Sequence, residues 1–206
     1  MQDTDLLASL PVERRLALAY APQRAQRLWL GLFALDARLG TMVHNGAEVM
    51  LTQIKLAWWR EQLGKPPAER RRGEPLLALL DLWGDDTGAL VALVDGWELL
   101  LDGEPIGHSE ALEFAAGRVL ACEAIARHLG IRAGDIAHAA RGWALADIGA
   151  ALAEPADYNW RRVRLPREMR PLQVLYGLAG RVRGQGSLLS GPVAALHAVR
   201  LGLLGI

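Results

Sequence analysis

Residues 33–63, FALDARLGTMVHNGAEVMLTQIKLAWWREQL, decide the fold. Their second half sets Ala47, Met50, Leu51, Ile54 and Trp58 on one helical face and Leu56, Trp59 and Leu63 on another. Apolar groups therefore cover much of the circumference, the pattern of a helix packed on several sides. This predicts a helix in the middle of a bundle. Upstream, Pro22 suits a first helical turn and Gly40 a stop, so a partner helix is expected over residues 22–39. The HNG of residues 44–46 is the turn between the two.

On both sides of this stretch, helical periods recur almost everywhere and β-type alternation is rare. The expected helices are 11–20, 74–83, 87–101, 109–129, 133–152, 172–182 and 192–204, with Ser109 as an N-cap and Gly130 as a stop. KPPAERRRG at residues 65–73 and the Pro- and Gly-containing 104–108 read as surface connections, and 155–171 as irregular. The class is all-α, a single domain over 1–206.

The 206 residues are 51% hydrophobic and 22% charged, and a chain of this length buries roughly 70% of its unfolded surface, enough for a core without staples. The formal net charge is zero, so no overall field draws the chain to nucleic acid, and no RNA-binding motif is present. Cys122 is the single cysteine, which excludes an internal disulfide and makes a small buried hydrophobe the simplest reading. The acidic start MQDTDLLASL lacks the basic and apolar runs of a signal peptide. No segment reaches the roughly 18 uninterrupted apolar residues of a membrane span. A cytoplasmic protein is expected, with at most peripheral contact at the inner membrane.

Asp147 lies in an otherwise uncharged helical stretch and Asp36 in a similar apolar setting; a buried lone carboxylate costs several kcal/mol, so a partner or partial exposure is required, and a structural pair with an arginine is read ahead of a catalytic acid at both. The histidines at 44, 108, 128, 138 and 197 show no metal-ligand spacing. The seven tryptophans fall at helical spacing and read as core. Arginines cluster at 70–72 and again at Arg161, Arg162, Arg164, Arg167 and Arg170. The second cluster alternates with Val163, Leu165 and Met169 and lies beside Tyr158 and Trp160. Guanidinium forks suit phosphate or carboxylate, which makes Arg161, Arg162 and Arg164 candidate anion or partner contacts.

LFALDARLGTMVH, LAWWREQL at residues 56–63, LVDGWELLL at 93–101, FAAGRV at 114–119 and GWALADIGAALAEPAD at 142–157 occur in an order that resembles the squalene/phytoene synthase family of head-to-head prenyltransferases. The resemblance spans roughly residues 20–166 and implies an isoprenoid-synthase-type bundle, shortened at the C-terminus. The family's two aspartate-rich motifs are altered here. Gly40, Thr41 and His44 stand in the first; Ala146, Gly149 and Ala153 stand in the second, leaving only Asp157, with Pro155 inside the spacing. Paired carboxylates one helical turn apart can hold Mg²⁺ against a diphosphate, and small or apolar groups cannot.

What the resemblance implies is therefore a degenerate branch, similar to the one containing the mitochondrial complex I assembly factor, with no catalytic residue, metal or cofactor. The seven positions Gly40, Thr41, His44, Ala146, Gly149, Ala153 and Asp157 would line the former active site. A protein partner or an isoprenoid or other lipid ligand is expected. Two alternatives stay open: an active prenyltransferase with unusual ligands, which would require Mg²⁺, and an isoprenoid-lipid carrier.

Overall fold

Helical periodicity is realised throughout the computed structural model, which describes residues 2–46, 48–132, 134–182 and 200–202. The helices are α1 (Gln2–Ser9), α2 (Val12–Leu18), α3 (Gln23–Asn45), α4 (Val49–Gly64), α5 (Pro75–Leu80), α6 (Val91–Glu98), α7 (His108–His128), α8 (Ile136–Asp147) and α9 (Arg170–Val182). Short 3-10 segments lie at Pro67–Glu69, Asp81–Leu90, Gly149–Ala151 and Arg167–Met169. Among the described residues no strand forms. A single parallel bridge joins Ile106 to Leu152, closed by Ile106 N donating to Ala151 O and Ala153 N to Ile106 O, both at 2.9 Å. It ties the loop before α7 to the chain leaving α8.

The core is built on α3, α7 and α8. Helix α3 buries nearly every residue from Leu28 to Asp36, together with Leu39 and Gly40. Helices α7 and α8 cross closely and carry α6 and α9 on their flanks. Glycine sets one of these crossings: a Cβ on Gly117 would lie 2.5 Å from the Ala92 carbonyl oxygen, so α6 and α7 meet backbone to backbone.

Several expectations are corrected. Helix α3 does not stop near Gly40 but continues to Asn45; the glycine inside it serves packing instead, since the Trp97 ring lies 2.9 Å from the place of its missing Cβ. Helix α4 does not occupy the middle of the bundle. It packs through Thr52, Leu56, Trp59 and Leu63, and its other apolar stripe, Met50, Leu51 and Ile54, is exposed. The central place is taken by α3, whose apolar run is longer and surrounds the helix.

Further differences are local. An unexpected first helix α1 forms, tied down by buried Leu6 and by Asp3 pairing with Arg27 at 3.1 Å. The N-cap of α7 is Gly107, not Ser109; the Glu110 side chain accepts from Gly107 N at 2.8 Å. Gly130 does terminate α7, at φ 69°. Helix α8 ends at Asp147 and passes into a 3-10 turn well before Pro155. The arginine group 70–72 is not uniformly solvated: Arg70 is buried, pairing with Asp81 at 2.7 Å and donating to Thr87 Oγ1 at 2.7 Å and Lys65 O at 3.0 Å. It pins the 65–73 connection to the bundle. The expected helix 192–204 lies, apart from residues 200–202, outside the described residues.

Candidate functional site

Four charges meet at the centre of the bundle, one from each of four helices: Arg14 of α2, Asp36 of α3, Arg118 of α7 and Asp147 of α8. Arg14 lies 2.8 Å from Asp36 Oδ2 and 3.2 Å from Asp147 Oδ2. Arg118 lies 3.0 Å from Asp36 Oδ2 and 2.5 Å from Asp147 Oδ2. Trp97 Nε1 donates to Asp36 Oδ1 at 2.7 Å. Both aspartates thus find arginine partners, and the cluster is neutral.

Aromatic rings pack against both guanidinium groups, while the Asp147 side chain stays partly exposed. The Arg118 guanidinium lies 4.3 Å from the Trp143 ring centroid and 5.0 Å from that of Phe114, and the Arg14 guanidinium lies 5.8 Å from Trp143. Arg14 Nε and Arg118 Nη1 have no hydrogen-bond acceptor among the described residues; the ring faces take up part of that charge. Burial alone would push the Asp147 carboxyl up, but the adjacent Arg118 and Arg14 outweigh it and hold the group below its usual range. Burial would likewise lower Arg118, yet Asp36 and Asp147 keep it raised and protonated. Burial pushes the Cys122 thiol far up, which leaves it an unreactive core residue.

The seven altered motif positions have different surroundings. Gly40 lies under Trp97, and the His44 ring meets the edge of the same indole at 5.7 Å while its Nδ1 is 2.7 Å from Gly40 O. Thr41 donates to Ala37 O at 2.9 Å and lines a recess of about 470 Å³ with Arg38 and Lys55. Ala153 and Asp157 line a different recess, about 490 Å³, with Ile106, Leu145 and Leu152. Ala146 is buried and Gly149 half-buried on the turn after α8. Among the described residues, Thr41 thus lines one recess and Ala153 and Asp157 another. Among the described residues, no three His, Cys, Asp or Glu side chains converge in a metal-ligand cluster, and no helix is long and apolar enough to cross a membrane.

The segment 158–166 forms the second candidate site. Val163 and Leu165 are buried while Arg161, Arg162 and Arg164 are exposed, so the side-chain alternation expected from the sequence is present. Behind it lies a cluster that sequence reasoning missed. His138 lies between Tyr158 and Tyr176, 3.1 Å from each hydroxyl, and Tyr158 donates to His138 O at 2.5 Å. Trp160 packs on both tyrosines at centroid distances of 5.0 and 5.2 Å. Burial first, then Arg161, lowers His138 so that it is neutral near pH 7; burial raises Tyr158 to about 12. Gly142 was the available signal, since the Tyr158 and Tyr176 rings lie 2.7 and 2.8 Å from the place of its Cβ.

Fold and site together define an all-α bundle whose centre holds two arginines and two aspartates against tryptophan and phenylalanine rings, with Asp147 partly exposed at its edge. No family model, no curated protein and no solved structure matches the chain.

Proposed function

We propose that the chain is a non-catalytic binding or assembly scaffold on a squalene/phytoene synthase-type bundle, and that its task is to help mature a membrane-associated respiratory complex of the complex I type. One observation carries the non-catalytic part. The acids at the centre of the bundle are neutralised by Arg14 and Arg118 at 2.5–3.2 Å, and the position facing the first altered motif is filled by Trp97. A metal-bridged diphosphate needs free carboxylates and an open, hydrated approach. Ion pairs of this kind instead lock four helices in register.

The assembly role rests on the resemblance of the segment running from Pro155 through Arg161–Pro166, RRVRLP, to the degenerate branch, and fold alone does not carry function. Two measurements test the reading. Purified protein with Mg²⁺ and farnesyl or geranylgeranyl diphosphate should release no more pyrophosphate than a heat-killed control. Deletion of the gene should lower assembled NADH dehydrogenase in membranes. Normal enzyme levels with an altered hopanoid or carotenoid profile would return the protein to isoprenoid metabolism, as an enzyme or as a carrier.

A further inference from the structure

We propose that the groove between the segment 160–163 and α9 is a preorganised binding site for an organophosphate, its anionic head held by arginines and its flat or apolar body laid against Trp160 and Tyr176. The groove encloses about 320 Å³, and its lining includes Trp160, Arg161, Arg162, Tyr176, Arg200 and Leu201. That volume is near the lower end for small-molecule sites. Among the described lining residues, Arg161, Arg162 and Arg200 are basic and none is acidic, and Arg162 is the arginine on which the head-group contact rests. Asp135 lies outside the groove and pairs with Arg161 Nη2 at 2.6 Å, whereas Arg162 forms no ion pair with an acid among the described residues.

The segment is extended and forms no ladder, yet its backbone is held by buried side chains of α9. Gln173, almost fully buried, accepts from Leu165 N at 2.8 Å and donates to Val163 O at 2.8 Å. Tyr176 Oη donates to Arg161 O at 2.8 Å and accepts from Arg161 N at 3.1 Å. The two clamps fix the backbone on either side of Arg162. A third constraint sets the wall: Trp160 Cε3 lies 3.0 Å from where a Gly180 Cβ would be, so the indole is seated on a glycine. Backbone and aromatic wall are thus fixed before a ligand arrives, which lowers the ordering cost of binding. Arginine forks match phosphate oxygens, and a flat body gains from the rings.

Phosphate groups reach a protein on free metabolites or on lipid headgroups, and one experiment separates them. Purified full-length protein is titrated with phenyl phosphate and with inorganic phosphate by calorimetry, and sedimented with phosphatidylcholine vesicles with and without phosphatidylglycerol. The expected result is saturable binding of phenyl phosphate, tighter than inorganic phosphate, that Arg162→Ala weakens about ten-fold, the effect of losing one charge-assisted contact. Sedimentation confined to phosphatidylglycerol vesicles and lost in Arg161→Ala/Arg162→Ala also supports the site and assigns the phosphate to a lipid. Neither binding, or binding unchanged in the two variants with unaltered melting, overturns the proposal. The result stands apart from the assembly role, which is read in membranes and not on purified protein.

Discussion

Arg118 is fully buried with two carboxylates and three aromatic rings around it, so its removal leaves Asp36 and Asp147 sharing only Arg14. Arg118→Met should cost about 3–5 kcal/mol in urea unfolding, the usual effect of stranding a buried charge, whereas replacing all four members by apolar residues of similar volume should recover much of it. A loss under about 1 kcal/mol for the single variant would mean that solvent at the partly exposed Asp147 screens the whole cluster. The same site sets an acid limit. Because the folded-state pKa of Asp147 is lowered by its arginines, its contribution is complete above the unfolded carboxylate value of about 4 and is lost as pH falls through the folded value. Asp147→Asn should therefore melt lower at neutral pH and show a flatter decline of Tm below about pH 4 than the parent.

At the scale of elements, Gly40 shows how a helix interior can need a residue that disfavours helix. Alanine there gains up to about 1 kcal/mol in propensity, but its Cβ would meet the Trp97 ring at 2.9 and 3.0 Å, and Trp97 is held by Asp36 and packed edge-on to Phe114 at 5.1 Å. A ring so fixed cannot yield, and overpacking typically costs 1–3 kcal/mol. Gly40→Ala should lower stability by about 1 kcal/mol in denaturant; a rise would show that Trp97 moves freely. Helix α4 offers the contrasting test of placement. Leu56 is fully buried and Ile54 is 61% exposed, so Leu56→Ala should cost about 2–5 kcal/mol and Ile54→Gln less than about 0.5. Equal losses would put α4 back in the middle of the bundle.

Across the whole molecule the zero formal charge conceals an uneven distribution, with Arg161, Arg162 and Arg164 exposed on one face. Among the described residues, the reversal Arg161→Glu/Arg162→Glu removes one half-exposed pair, Arg161 with Asp135, and such pairs contribute about 0–1 kcal/mol. The melting temperature should stay nearly unchanged while association with an anionic partner or headgroup weakens. The pKa of His138 should also rise, since Arg161 is among the causes that lower it, and an NMR titration of the imidazole reads this directly. Large destabilisation would mean that these arginines hold the bundle together, a role the geometry gives to Arg14 and Arg118.

Periodicity and punctuation in the sequence determined the all-α class, most helix positions, the stop at Gly130 and the irregular run before α9, because these depend on local spacing and on backbone freedom. The same local logic asked for a partner or partial exposure at Asp36 and Asp147, with arginine as the first choice of partner, and for an outward row of arginines after Tyr158. Which arginines would serve was decided only by tertiary structure: Arg14 and Asp147 are separated by 133 positions, and no local pattern couples residues that far apart. Helix α4 failed for the same reason. Two apolar faces state that a helix can be packed on both sides, but whether neighbours exist there depends on how the longer α3 fills the centre. Gly40 read as a stop because a glycine in sequence reports freedom of φ; the Trp97 ring that needs its empty Cβ position lies on another helix, and only packing brings the two together.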